Sequence, residues 1–196
     1  MKQNQLLLLS FITSICVILY QFFQWSLFDI FSFLMVPVMF LLFGFFIVIT
    51  ILAVVSLFKK RDWKPITIQV VTIVLLFIVP FNQIVLDLNF KLNQTEREKI
   101  IKMVVNGEIK PNVTDNSSLI HLPKKYDHLS AGGGDIVVEK TSNGYNILFF
   151  TFRGVLDGFS GFVYATTDQK PLKNAFDGDI KEINRMAKNW FFISSN

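Results

Sequence analysis

Three long runs without a single charge dominate the first ninety residues, at positions 6–23, 31–58 and 66–86. An α-helix needs about 20 apolar residues to cross the roughly 30 Å of a bilayer's hydrocarbon, so each run is long enough to span it. Only Pro37 and Gly44 interrupt the second run, and membrane helices tolerate both. The whole chain of 196 residues is 52% hydrophobic and carries 22 Phe, which is too apolar for an ordinary soluble domain. The first run also has the position of a secretory signal, but no small-x-small cleavage site follows it. Ile15 stands before Cys16, where lipidation of that cysteine would call for a small residue. The reading is therefore an uncleaved first helix.

The basic residues between the runs give an orientation, because Lys and Arg are retained on the cytoplasmic side. Residues 21–29 hold none, whereas Lys59, Lys60, Arg61 and Lys64 crowd the second connection, and Lys2 lies on the same side as they do. The amino terminus is expected inside the cell, and three crossings put residues 89–196 outside. Trp25 and Trp63 flank the second run as interfacial anchors would. Charge says less about partners. Five Lys and Arg precede residue 89 and 14 follow it, against three and 12 acidic residues, so neither part has a basic tract dense enough for nucleic acid. The one cysteine lies in the first run, so the outer domain must hold together by packing alone.

In the third run, Gln69, Thr72, Pro80, Gln83 and Asp87 fall in one angular sector of a helix and make a polar stripe. Packing against the other two helices is the favoured reading, since Gln and Thr hydrogen-bond across such interfaces. An ion or proton track is the alternative, but Asp87, the one ionisable member, stands at the outer end.

Residues 89–94 read as a short link. Thr95-Glu96-Arg97-Glu98 then has the Thr-x-x-Glu spacing of a capping box, which predicts a helix from Thr95 that ends at Gly107. The rest predicts strands over 136–140, 145–152, 160–166, 179–186 and 189–194, with a further edge strand over 118–122. Thr141-Ser142-Asn143-Gly144 is the turn of a hairpin. In residues 147–152 both alternating faces are apolar, as in a central strand covered on two sides. The fold class is a three-helix transmembrane anchor over residues 1–88, with helices at about 6–23, 31–58 and 66–86. An extracytoplasmic α+β domain follows over 89–196, one helix packed on an antiparallel β meander.

The runs Asn116-Ser-Ser-Leu-Ile-His-Leu-Pro-Lys-Lys-Tyr-Asp-His-Leu-Ser, Leu148-Phe-Phe-Thr-Phe-Arg-Gly-Val-Leu-Asp-Gly-Phe-Ser-Gly-Phe-Val-Tyr and Asn189-Trp-Phe-Phe resemble those of uncharacterised small multi-pass membrane proteins of Gram-positive bacteria. The similarity covers the exported domain and not the helices. It implies a bacterial plasma-membrane setting and no particular chemistry. In that setting the sequons at Asn93, Asn112 and Asn116 would go unglycosylated.

Three consecutive glycines, Gly132 to Gly134, raise the question of a phosphate loop. A nucleotide-binding loop opens a helix, whereas here Asp135 and a strand follow, so the glycines read as a reversal into that strand. His121 and His128 are the only histidines, and their spacing with Pro123 between them is not that of a helical metal pair. No Gly-x-Ser-x-Gly pattern occurs. No cofactor, nucleotide or metal is called for, and the residues lean against an enzyme. The stretch most suited to recognition is Arg153-Gly-Val-Leu-Asp157-Gly-Phe159, where Arg153 and Asp157 bracket a glycine-bearing loop and Phe159 and Tyr164 offer aromatic anchors. An Arg153–Asp157 ion pair that merely fixes the turn is the plainer alternative.

These features lead to a noncatalytic binding module at the outer face of the plasma membrane. Besides the lipid bilayer it would engage a protein or envelope component, and an immunity or accessory protein is one form it could take. The alternative is a membrane enzyme or transporter subunit that uses the third-run stripe or the His121 and His128 region. A reporter active only outside the cytoplasm, fused after Asn196, is expected to work; activity of a cytoplasm-only reporter there would reverse the topology.

Overall fold

A computed structural model describes residues 3–31, 34–114, 116–154 and 158–195. The chain divides into two compact units, Met1–Val85 and Leu86–Asn196. Among the described residues there are four α-helices: α1 (Gln3–Phe31), α2 (Met35–Lys60), α3 (Lys64–Ile78) and α4 (Phe81–Val105). They are followed by six strands, β1 (Leu119–His121), β2 (Asp135–Thr141), β3 (Gly144–Arg153), β4 (Phe159–Ala165), β5 (Ile180–Ala187) and β6 (Trp190–Ser195).

Two of the helices, α1 and α2, are long and apolar enough by themselves to cross a membrane; α3 and α4 are so only taken together, as a pair bent by 60°. The third uncharged run is thus not one helix. Pro80 has no N–H to donate and disfavours helical backbone at the residue before it, and Val79 is extended at φ −82° and ψ 120°. In the first unit the helices turn small side chains inward, with Ser10, Thr13, Val17, Ala53 and Thr72 nearly inaccessible, as close packing in a bilayer requires. Phe40, Leu41, Phe58 and Phe77 point outward.

The expected helix start at Thr95 is not there, and neither is the link over 89–94. Helix α4 runs unbroken through both, and Glu98 accepts a hydrogen bond from Gln94 (2.9 Å) one turn back. The reason lies in burial: Leu86 and Phe90 continue the stripe of Ile100, Ile101 and Val104, and Phe90 meets Trp190 edge to face with ring centroids 5.4 Å apart. A helix begun at Thr95 would forgo that contact, which outweighs a local capping signal. The end is as expected. Gly107 takes φ +73°, its N–H bonds the Val104 carbonyl (3.0 Å) and the Glu108 N–H bonds that of Met103 (2.9 Å), which closes a Schellman motif.

The sheet is antiparallel throughout, in the order β1-β2-β3-β4-β6-β5. It is therefore not a simple meander, because β6 and not β5 lies beside β4. The apolar β6, with Trp190, Phe191, Phe192 and Ile193 buried, takes the interior place. Strand β5 exposes Lys181, Glu182, Asn184 and Arg185 and takes the edge. The crossover from β4 to β5 is fastened by Asp168. Its carboxylate accepts from the Asn189 N–H (2.6 Å) and from Arg185 (2.6 Å), and these two donors hold it below the usual aspartate range, the arginine contributing more.

Each face of the sheet has its own core. Ile136, Ile147, Phe149, Phe162 and Trp190 pack with Phe90, Ile100 and Ile101 of α4. Leu148, Phe150, Val163 and Ile193 pack on the other face with Ala175 and Ile180. Strand β3 supplies both, as a central strand must. Within the first core lies Arg97, only 1% exposed. Its guanidinium donates to the Leu129 carbonyl (3.0 and 3.1 Å), to Asn89 Oδ1 (2.6 Å) and to the Asn89 carbonyl (3.3 Å), and it stands 4.8 Å from the Phe162 ring centroid. Desolvation lowers its pKa to about 10. It thus stays charged at neutral pH, and the cost of burying that charge is present at every pH below about 10, easing only above it.

Replacing Arg97 by Ala is expected to cost more than about 3 kcal/mol, since it opens a cavity and orphans the Leu129 carbonyl and the Asn89 amide. Arg97→Lys keeps the charge but not the planar fork and should also destabilise, whereas exposed Lys102→Ala should be near neutral. Denaturant titration of the full-length protein in detergent, followed by near-ultraviolet circular dichroism, measures all three.

Candidate functional site

The polar stripe of the third run separates at Pro80. Gln69 and Thr72 lie on α3 and are buried; Gln83 and Asp87 lie on α4, beyond the break, and each has partners of its own. Gln69 joins three helices. Its Nε2 donates to the Ser10 carbonyl (3.2 Å) and to Thr13 Oγ1 (3.3 Å) of α1, and its Oε1 accepts from Thr50 Oγ1 (3.0 Å) of α2. Thr72 bonds within its own helix, to the Ile68 carbonyl (2.9 Å). The hydroxyls of Ser10, Ser14 and Ser56 are buried nearby in this unit without hydrogen-bond partners among the described residues. Their signal in the sequence was the Ser10, Thr13, Ser14 spacing of three and four on one face of α1, which a reading confined to the third run passed over.

In the second unit the glycines form a tight reversal. Gly132, Gly133 and Gly134 all have positive φ, at 74°, 96° and 82°. The Gly134 N–H bonds the Ser130 carbonyl (3.1 Å), the Gly134 carbonyl accepts from the Leu122 N–H (3.0 Å), and the Ala131 N–H bonds the Phe150 carbonyl (2.8 Å). Ser130 Oγ, buried, donates to the Asp135 carbonyl and accepts from the Phe150 N–H (2.8 Å). These bonds commit the loop to holding β2 and β3 together.

Asp157 lies outside the described residues. The carboxylate that Arg153 engages in the structure is that of Asp135: Arg153 Nη1 to Asp135 Oδ2 is 2.8 Å, while Asp135 Oδ1 faces His121 Nδ1 at 2.9 Å. His128 stands apart from this cluster, 3.3 Å from Glu96. No three or more His, Cys, Asp or Glu side chains converge as metal ligands among the described residues. Sequence spacing paired Arg153 with the acid in its own loop; among the described residues its partner is Asp135, 18 residues back and delivered by the glycine reversal.

Phe159 and Tyr164, read together as anchors, lie five residues apart on one strand and so face opposite sides of the sheet. Tyr164 joins the helix-side core, edge to face with Trp190 at 5.2 Å. Phe159 is on the other side, edge to face with Phe150 at 5.8 Å, and the Arg153 guanidinium lies 5.3 Å from the Phe150 centroid. Arg153, Phe150 and Phe159 therefore line one groove of about 590 Å³, together with Leu148, Val137 and Phe176. Its rim carries Asn116, Ser117, Lys140 and Asp177. An apolar floor under a polar rim can hold an apolar side chain while hydrogen bonds fix its orientation.

No protein family, curated protein or solved structure matches the chain. The case for the site is its geometry.

Gly134→Ala is expected to destabilise by more than about 1 kcal/mol, because a Cβ there would lie 2.7 Å from the Asp127 Cα on top of the left-handed strain. Gly133→Ala meets nothing within 4 Å and should cost less. Melting temperatures of the two variants check the order, and equal losses would mean that the loop can relax.

Proposed function

We propose that the protein is a membrane-anchored binding module whose recognition surface is the groove around Arg153, Phe150 and Phe159. The observation that carries this reading is the groove's place in the fold. Among the described residues helix α4 covers one face of the sheet and the crossover from β4 to β5 packs on part of the other, where the groove is lined by the buried Phe150, the half-buried Phe159 and the exposed Arg153. Aromatic and arginine side chains carry a disproportionate share of interface energy.

In this reading α1 and α2 cross the plasma membrane, α3 with the start of α4 supplies a third, broken crossing, and the lipid bilayer is the partner of the apolar helix surfaces. The amino terminus is cytoplasmic and the sheet lies outside, where it meets a protein or envelope component; an immunity or accessory role has this form. The basic count of the two connections supports the orientation, and the resemblance of the exported segment to Gram-positive membrane proteins supports the setting. Against a transporter role for the third-run stripe stands the use of Gln69, whose amide is already taken up by α1 and α2.

A stoichiometric partner recovered from envelope extracts with the full-length protein is the first test. Affinity for that partner should fall by more than about 1 kcal/mol in Arg153→Ala and in Phe159→Ala, with little change in melting temperature. Tyr164→Ala should do the reverse, lowering stability and sparing affinity. Normal affinity in both groove variants would remove the groove from the function.

A further inference from the structure

The larger groove borders a second feature, a stretch of strand edge that the fold leaves open. Val138 donates its N–H to the Ser118 carbonyl (2.8 Å), so its backbone groups point away from β3, toward β1. Backbone direction alternates along a strand, so those of Lys140 point the same way. Strand β1, however, pairs with β2 only from Leu119 to His121, and its chain turns off where the Asn116 carboxamide oxygen takes the Ser118 N–H (3.0 Å). Among the described residues no strand lies opposite Lys140, while on its other side β2 stays paired with β3 through Thr141.

Elsewhere the edges are closed. The Asn112 side chain occupies the outer side of β1, accepting the His121 N–H (2.7 Å) and donating to the His121 carbonyl (2.9 Å). Strand β5 is broken by two register shifts and studded with charge. Both are devices that prevent strand addition. Among the described residues the edge at Lys140 has no side chain seated on it and no register shift, and the charge it carries is that of Lys140 itself. It runs between the 590 Å³ groove and a second groove of about 380 Å³, and Glu139 and Lys140 line both.

The two grooves differ in character. The larger has the floor of Leu148, Phe150 and Phe159. The smaller holds Lys140 and Lys170, neither with a carboxylate partner among the described residues. Its one acid, Glu139, is already used by the Phe176 N–H (3.2 Å) and the Asn146 amide (3.3 Å).

We propose that an extended polypeptide segment adds to the open edge of β2 at Lys140, setting an apolar side chain into the larger groove and an acidic one against Lys140 and Lys170. Strand addition draws affinity from main-chain hydrogen bonds and specificity from side-chain pockets on alternate residues. This rests on the groove being a recognition site and adds the class of partner: a protein strand of alternating apolar and acidic residues.

The probe is a set of blocked eight-residue peptides alternating valine or leucine with glutamate, titrated by calorimetry into the full-length protein in nanodiscs. Saturable binding is expected from at least one. It should weaken at least tenfold when alternate peptide nitrogens are methylated, which leaves the side chains unchanged, and severalfold when lysine replaces glutamate. Lys140→Pro should abolish it, since proline removes the outward N–H together with the ammonium, whereas Lys140→Ala, which removes the ammonium alone, should weaken it only severalfold. The methylated peptide makes the same test without relying on the proline variant's fold. Absence of binding from the whole set overturns the proposal, as does binding indifferent to methylation. Binding indifferent to methylation but lost in Phe159→Ala would overturn strand addition alone and leave the groove as the recognition site.

Discussion

Arg97 is the residue on which the second unit depends. A guanidinium buried to 1% exposure must find acceptors for its donors, and those bonded to it are neutral oxygens, from Asn89 about two turns back along α4 and from Leu129 in the loop before the glycines. The faces of Phe162 and Phe149 complete its surroundings. Among the described residues no carboxylate pairs with the charge, and hydrogen bonds and ring quadrupoles carry it. Such a residue is costly to bury and more costly to lose, because its acceptors would be left dry.

From Arg97 the constraint passes along the chain to the candidate site. With the Leu129 carbonyl held, Ser130 is placed to bridge the Asp135 carbonyl and the Phe150 N–H. That bridge fixes the three glycines between β2 and β3, and a Cβ at Gly132 would come within 3.2 Å of the Arg153 side chain, so the loop lies directly against it. Asp135, delivered by the reversal, then binds Arg153 and His121 on its two oxygens. The groove's one guanidinium is thus positioned by a loop whose anchor lies in the core on the opposite face of the sheet.

Every strand was legible in the sequence, since alternation, a doubly apolar β3 and Asn143-Gly144 are local signals. Their order was not. Whether β5 or β6 lies beside β4 depends on a crossover held by Asp168, Arg185 and Asn189, and no short window joins those residues. The helix start failed for a related reason: Thr95-x-x-Glu98 is a true capping pattern, but Phe90 had a tertiary partner in Trp190, 100 positions along the chain. Arg97 was read only as a place within the Thr95-x-x-Glu98 pattern, with no burial expected of it, because arginine is seldom buried. Arg153 and Phe159, singled out from their neighbours in sequence, line one groove in the structure. Asp135 was not singled out with them, because its partnership with Arg153 is made by the fold. Tyr164, by parity one residue out of step with Phe159, lies on the opposite face of the sheet from the groove.

The two units solve the same problem in different solvents. In each, one polar side chain that can make several hydrogen bonds stands at the meeting point of separate elements: Arg97 among helix, loop and sheet, Gln69 among α1, α2 and α3. Apolar packing by itself discriminates weakly between neighbouring registers, and in a bilayer most of all, because lipid competes with helix for the same contacts. A slip of one helix past another would strand the Gln69 amide without Ser10, Thr13 or Thr50, and a slip of α4 along the sheet would strand Arg97 without Leu129. The penalty for an unpaired group is larger than the gain from a paired one. Each group therefore contributes less to the depth of the folded state than to its separation from misregistered packings, which explains why a chain this rich in interchangeable Leu, Ile, Val and Phe can still specify one arrangement.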